Sequence, residues 1–211
     1  MSLPTPFAYP SSPHTRLHGP QGYVNYQQYK PWLRDEFSFC CVYCLERENW
    51  HPNLDSSFSV DHFEAKVLVP EKLTDYDNLV YACLRCNSFK QDTTVFLNPA
   101  EVAFSDHFLI ESDGHILGLT TEGQDLIDLL DLDGELAVRL REEILIVLSL
   151  KHKLPNDRDV DRLFQLKFGY PPDEFLPDLT SLRPPKGNIR IDGVKNSYRE
   201  KRKSGTLPKI F

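Results

Sequence analysis

The residues with the clearest chemical signature are five cysteines, which fall in two tight groups. Cys41 and Cys44 form a pair with two residues between them, and Cys83 and Cys86 repeat that spacing. Two such pairs supply the four thiolates of a closed tetrahedral site, the arrangement that structural Zn²⁺ prefers. Cys40 is an alternative to Cys41 through a three-residue spacing, but the two-residue spacing matches the second pair. We therefore predict a structural zinc site of Cys41, Cys44, Cys83 and Cys86, with Cys40 packed beside it.

Polar residues of the kinds used in hydrolysis lie between the two cysteine pairs and just after them. Asp61 and His62 are adjacent, Asn78 lies shortly before the second pair, and Asn87 follows the last cysteine directly. Imidazole titrates near neutrality and suits proton transfer, whereas carboxylate and amide oxygens suit a hard divalent cation. A zinc ion bound by both pairs would hold these residues in one rigid unit.

The order of these residues resembles the HNH endonuclease family, in its subset with a four-cysteine zinc site. The stretches that carry the resemblance are CVYC, SVDHFEAK and DYDNLVYACLRCNSFK, within residues 37–92. Three further stretches, GPQGY, PWLRDEF and LRPPKGN, are similar to bacterial proteins that carry this motif. Two positions depart from the common family pattern, because Ala65 stands where proline is frequent and Asn87 where many members have histidine.

The resemblance implies a ββα-metal core and a role for each matched residue. His62 would be the general base that takes a proton from the attacking water. Asp61 and Asn87 would hold one catalytic Mg²⁺ or Mn²⁺ ion, and Asn78 would orient His62 by holding the loop between the strands. Lys90, one helical turn after Asn87, would either contact a phosphate of the nucleic acid or be a solvent-exposed lysine without that role.

The hydrophobic pattern predicts an α+β fold in which the small core is followed by a hairpin and a helical segment. A short helix begins near Asn25 or Pro31. The predicted strands span 37–42, 57–63 and 79–82. The predicted hairpin spans 104–119, with its turn at Asp113-Gly114. The predicted helices span 86–91, 121–132, 135–151 and 157–168. We divide the chain into an N-terminal arm with a short helix (1–36), the metal core (37–92), a hairpin and helical region packed on that core (93–182), and a basic tail (183–211).

The charge of the chain is distributed unevenly. The formal net charge is −7, yet residues 183–211 hold nine Lys and Arg against two acidic residues, while residues 101–182 hold 18 acidic against seven basic residues. Such a basic segment is typical of an arm that contacts phosphates. We predict nucleic-acid contacts for four of its residues, namely Arg199, Lys201, Arg202 and Lys203.

Composition excludes some functions and leaves others open. No apolar run approaches the ~20 residues of a membrane-spanning helix, and clustered cysteines without an export signal favour the reducing cytoplasm. The leading hypothesis is a metal-dependent DNA endonuclease, with RNA as a further candidate substrate and a partner protein in a larger assembly. The alternatives are an inactive, zinc-stapled nucleic-acid-binding module and a protein-interaction module whose acidic segment binds a basic partner.

Overall fold

The computed structural model describes residues 7–208, which form an α+β structure of two small sheets and several helices. The strands are β1 (Phe58–His62), β2 (Leu79–Cys83), β3 (Phe108–Ile110) and β4 (Ile116–Gly118). The α-helices are α1 (Lys30–Glu36), α2 (Leu84–Lys90), α3 (Thr121–Leu130), α4 (Glu135–Lys153), α5 (Arg158–Phe168), α6 (Ile191–Lys195) and α7 (Tyr198–Lys203). Short 3₁₀ helices span Tyr26–Tyr29, Glu48–Trp50, Leu54–Ser57, Pro70–Lys72, Tyr76–Asn78, Phe104–Asp106 and Asp173–Phe175.

The described residues divide into two compact units. Residues 15–95 and the described residues from 171 onward form one of them, which we call the site unit. Residues 7–14 and 96–170 form the other, which we call the helical unit. This grouping differs from the predicted division into four consecutive segments. No helix within residues 7–208 is both long enough and apolar enough to cross a membrane.

The core of the site unit is the antiparallel pair β1–β2 followed directly by α2. The register runs from Phe58 opposite Cys83 to His62 opposite Leu79. All five residues of β2 are buried, which its apolar sequence predicts. The side chain of Cys83 caps α2 by accepting a hydrogen bond from the amide of Cys86. The predicted strands at 57–63 and 79–82 and the predicted helix at 86–91 are thereby confirmed.

The strand predicted at 37–42 is wrong. Ser38 and Phe39 have φ angles of 55° and 61°, which lie in the left-handed region and are incompatible with an extended strand. The chain instead turns back on itself, since the amide of Cys41 donates to the Glu46 carbonyl and that of Leu45 to the Cys41 carbonyl. This tight turn is what directs two cysteines from one short segment toward the same point.

A buried ion pair joins α1 to this turn. The guanidinium of Arg34 donates to both carboxylate oxygens of Glu48, at 2.8 and 2.7 Å. The hydroxyl of Tyr81, on β2, donates to the same carboxylate at 2.7 Å. Because both charged groups are buried, such geometry and full hydrogen bonding are needed to offset their desolvation.

The described part of the basic segment is folded into the site unit. It contains α6 and α7, and an isolated bridge pairs Asn188 with Pro20. Tyr198 packs edge-on against Phe39 with 5.2 Å between ring centroids, and its amide donates to Asp35. Residues 183–208 therefore do not form a separate arm.

The helical unit confirms the predicted hairpin and three helices. β3 and β4 pair with Phe108 opposite Gly118, and Gly114 in the turn has a φ of +92°. Thr120 caps α3 by accepting from the amide of Gly123. A side chain at Gly123 would meet the His107 carbonyl oxygen at 2.3 Å, so the close approach of α3 to the hairpin requires glycine.

We predict that Arg141 is the main polar support of the helical unit. It is buried, its guanidinium donates to the carbonyls of Gly114 and Leu132, and it thereby ties the hairpin turn to the α3–α4 connection. Replacing Arg141 with Met should lower the free energy of unfolding by about 2–4 kcal/mol, because charge-assisted hydrogen bonds are removed. Urea unfolding followed by far-ultraviolet circular dichroism measures this, since α3–α5 lie in this unit.

Arg139→Met is the matched control. This arginine is on the same helix, is largely exposed and pairs with Glu143 one turn away. Its replacement should change the free energy of unfolding by no more than about 0.5 kcal/mol. Equal effects of the two substitutions would contradict the structural role of Arg141.

Candidate active site and metal centre

The four cysteines of the two pairs converge. The sulfur atoms of Cys41, Cys44, Cys83 and Cys86 all lie within 4.8 Å of one another, and all four residues are buried. The Cys44 and Cys83 sulfurs are 3.7 Å apart, close to the edge of a tetrahedron whose metal–sulfur distance is ~2.3 Å. Four thiols in this arrangement can hold one metal ion, and an all-sulfur tetrahedral donor set suits zinc.

Cys40 lies outside this cluster. Its thiol donates to the Ser38 carbonyl at 3.2 Å, so the choice of Cys41 over Cys40 is confirmed. Within the cluster, burial opposes ionisation of Cys41, but hydrogen bonds from the other three thiols hold its pKa well below the ordinary value. One thiolate is thus stabilised by its neighbours, and a bound cation would favour ionisation of the rest.

A pocket of about 110 Å³ opens beside β1 and the second half of α2. Asp61 and His62 from the end of β1 line it together with Asn87 from α2. The structure therefore brings three of the four predicted catalytic residues to one cavity. The remaining lining residues are Tyr26, Gln27, Ser59, Val60, Ala65, Lys66, Gln91 and Asp92.

His62 is held in a defined tautomer. Its Nε2 atom lies 2.9 Å from the Leu73 carbonyl oxygen, and because a carbonyl only accepts, Nε2 must carry the proton. The neutral ring then has its lone pair on Nδ1, the atom able to take a proton from water. Burial lowers the pKa of His62 below its ordinary value, and the charges of Lys66 and Lys90 add to this effect. The lowered pKa favours the neutral imidazole, which is the form able to accept a proton.

Asp61 has two hydrogen-bond donors in the protein interior. The Tyr43 hydroxyl donates to one carboxylate oxygen at 2.8 Å, and the Lys90 ammonium donates to the other at 3.1 Å. Burial raises the pKa of Asp61, and these two donors act in the opposite direction. A carboxylate offers about four lone-pair positions, so Asp61 retains acceptor capacity toward the pocket.

Asn87 lines the same pocket. Its amide nitrogen donates to the Ser59 hydroxyl at 3.0 Å, which leaves the amide oxygen as the acceptor. Together with Asp61 this gives two hard oxygen donors on one cavity. Such a set fits a partly hydrated Mg²⁺ or Mn²⁺ ion, which takes few protein ligands and keeps several waters.

Asn78 does not line the pocket but braces the loop that follows His62. Its side-chain oxygen accepts from the Glu64 amide at 2.8 Å, and its nitrogen donates to the Glu64 carbonyl at 3.1 Å. Its backbone carbonyl also accepts from the amide of Phe63. These contacts suit the positional role predicted for Asn78.

The structure gives each of the predicted phosphate contacts a partner within the protein. Lys90 is completely buried, and its ammonium is bonded inside the protein, so it cannot reach a phosphate in this conformation. Arg199 lies against Asp178, Arg202 against Asp173, and Lys203 against Glu200. Lys201 lies over the Tyr198 ring at 5.2 Å. The four basic side chains of α7 therefore contact partners within the site unit.

Two residues that line the pocket, Tyr26 and Ser59, do not belong to the sequence motif. Tyr26 packs edge-on against His62 with 4.6 Å between ring centroids, and Ser59 orients Asn87. Tyr26 belongs to an aromatic-rich segment that is distant from His62 in sequence, so only the tertiary structure reveals that the two side chains are close. Ser59 carries a weak signal, because it lies two residues before Asp61 and so on the same face of the strand.

Residues 41–93 match the family model described as HNH endonuclease. The match covers about a quarter of the chain and includes both cysteine pairs and the pocket residues of β1 and α2. The chain thus contains an HNH domain with a four-cysteine metal cluster, and the family is in general one of nucleases that act on nucleic acids. The comparison with curated proteins found no match.

We predict that the four-thiol cluster supports the fold of the site unit. Replacing Cys83 with Ser should reduce bound zinc from about one equivalent per chain to less than half, because an incomplete donor set binds the metal weakly. Fluorescence of Trp32 and Trp50, both buried in this unit, should report the accompanying loss of packing.

Cys40→Ser is the matched control, since this cysteine neighbours the cluster without joining it. We expect it to retain about one zinc per chain and the native fluorescence. Zinc loss in this variant as complete as in Cys83→Ser would contradict the ligand assignment.

Proposed function

We propose that the protein is a metal-dependent endonuclease that hydrolyses phosphodiester bonds in DNA. The observation that carries this proposal is the convergence of Asp61, His62 and Asn87 on one pocket next to the four-cysteine cluster. A carboxylate, a neutral imidazole and an amide oxygen supply the ligands and the base of a hydrolytic site. The match of residues 41–93 to a nuclease family supports the same activity.

Each residue has a defined task in the proposed reaction. His62 takes a proton from the attacking water on Nδ1, while the Leu73 carbonyl fixes its tautomer through Nε2. Asp61 and Asn87 would hold a divalent cation, which would supply electrostatic stabilisation of the negative charge on the scissile phosphate and on the leaving 3′-oxygen. Asn78 keeps the His62 loop in place. Cleavage by this route leaves 5′-phosphate and 3′-hydroxyl ends.

The acidic charge of the chain bears on how the substrate reaches the site. With a formal net charge of −7, most of the surface repels nucleic acid at long range. We infer that Lys201 and Lys203 of α7, whose partners Tyr198 and Glu200 lie on the same helix, supply part of the affinity, and that a partner protein of a larger assembly supplies the rest. RNA offers the same phosphate chemistry and is the second substrate to be assayed.

We predict that His62→Ala lowers the rate of plasmid cleavage by ~10²–10⁴-fold, the usual loss when a general base is removed. Zinc content and DNA binding should be unchanged, because neither depends on the imidazole. The assay is the nicking of supercoiled plasmid with Mg²⁺ or Mn²⁺, with and without EDTA. His152→Ala, an exposed histidine of α4, is the control and should cleave at the wild-type rate.

Two results would oppose the proposal in different ways. Cleavage by His62→Ala at the wild-type rate would refute the assignment of the base. Complete inactivity of the wild-type protein with Mg²⁺, Mn²⁺, Co²⁺ and Ni²⁺, on duplex DNA, single-stranded DNA and RNA, would favour the inactive nucleic-acid-binding module.

We also predict that Lys201 and Lys203 contribute salt-dependent affinity for duplex DNA. The double change to Gln should reduce the log–log salt slope by up to ~0.9 for each phosphate that the protein no longer neutralises. Fluorescence anisotropy over a range of salt concentrations measures the slope. The control is Arg158→Gln with Arg162→Gln on α5, which removes the same charge from an exposed, acidic region. Equal slopes for the two double variants would show that α7 does not bind DNA.

A further inference from the structure

Lys90 is a buried cation placed directly at the candidate site. Its side chain is about 1% exposed, which is rare for lysine unless the charge is paired. The ammonium donates to the Asp61 carboxylate at 3.1 Å and to the His62 carbonyl at 2.6 Å. Both partners belong to the two adjacent residues that carry the proposed chemistry.

The placement of Lys90 follows from the register between α2 and β1. Asn87 and Lys90 are three residues apart and lie on the same face of the helix. Ser59 and Asp61 are two residues apart and lie on the same face of the strand. Asn87 bonds Ser59 and Lys90 bonds Asp61, so two successive contacts hold the helix on the strand.

The Lys90 ammonium has two physical consequences for the site. By bonding the His62 carbonyl and the Asp61 carboxylate, it fixes the end of β1 from which both side chains project. It also places a positive charge within hydrogen-bond distance of the carboxylate proposed to bind a divalent cation. Like charges at such a separation repel strongly in a partly buried site.

We propose that Lys90 is a positioning residue that acts as a resident cation for Asp61. It orients the end of β1 before metal and substrate arrive, and it weakens the hold of Asp61 on a divalent ion. This inference rests on the proposed function, because it assumes that Asp61 is a ligand of the catalytic cation.

The test is Mn²⁺ binding to zinc-loaded Lys90→Met, measured by electron paramagnetic resonance at about pH 8, where carboxylates are ionised. Methionine keeps most of the side-chain volume but removes the charge, so we expect Mn²⁺ to bind about five-fold more tightly or better. At saturating Mn²⁺, kcat for plasmid cleavage should nevertheless fall about ten-fold, because the end of β1 is no longer held. If Lys90 had a purely structural role, its replacement would lower both the Mn²⁺ affinity and kcat, or neither of them.

Two further variants show whether the measured Mn²⁺ binding occurs at Asp61. Asp61→Ala should abolish the tight Mn²⁺ binding, which shows that the measured site contains Asp61. Lys72→Met removes an equal charge from an exposed lysine that pairs with Glu64 and should leave Mn²⁺ affinity unchanged. If Lys90→Met does not fold, as judged by zinc content and circular dichroism, Lys90→Gln is measured instead with the same expected changes.

The outcomes separate this inference from the proposed function. Mn²⁺ affinity that is unchanged or weaker in a folded Lys90 variant overturns the inference, and so does a wild-type kcat at saturating Mn²⁺. If the wild-type protein cleaves no nucleic acid, the nuclease proposal fails and the affinity measurement alone decides the role of Lys90.

Discussion

The convergence of four thiols on one point is the constraint on which the site unit depends. Cys83 ends β2 and Cys86 lies in the first turn of α2, so their sulfurs fix the angle between strand and helix. Cys41 and Cys44 come from a turn in which Ser38, Phe39 and Leu45 have positive φ. β1 pairs with β2, and this pairing places Asp61 and the His62 carbonyl within hydrogen-bond distance of Lys90 on α2.

Around this cluster the site unit buries several charged groups, each with a partner. Glu48 accepts hydrogen bonds from Arg34 and Tyr81. Asp61 accepts from Lys90 and Tyr43. Glu36 accepts from the Tyr76 hydroxyl and from the amides of Leu17 and His18. Buried ion pairs contribute little net stability, but breaking one is costly because it leaves an uncompensated charge. Such a core therefore favours one arrangement over its alternatives, and it suits a site in which small displacements matter.

Charge pairing also changes the interpretation of the basic segment, residues 183–208. Its sequence has the composition of a phosphate-binding arm, yet its arginines meet aspartates and backbone carbonyls of the site unit. Charge density in a sequence cannot distinguish solvated cations from cations whose partners lie far away in the chain. The folded segment also contributes packing, since Tyr198 covers Phe39 beside the cysteine turn.

Features that depend on local spacing could be predicted from the sequence alone. Two CxxC pairs identified the metal cluster, alternating and helical periodicities located β1, β2, the hairpin and α2–α5, and the ordered motif singled out Asp61, His62, Asn78 and Asn87. Which side chains are buried together could not be predicted from the sequence and was revealed by the fold. It showed that Lys90 lies inside against Asp61, that Tyr26 borders His62, and that residues 37–42 turn rather than extend. The physical reason is that burial and charge pairing depend on contacts between remote segments, whereas periodicity and metal-ligand spacing depend on neighbours along the chain.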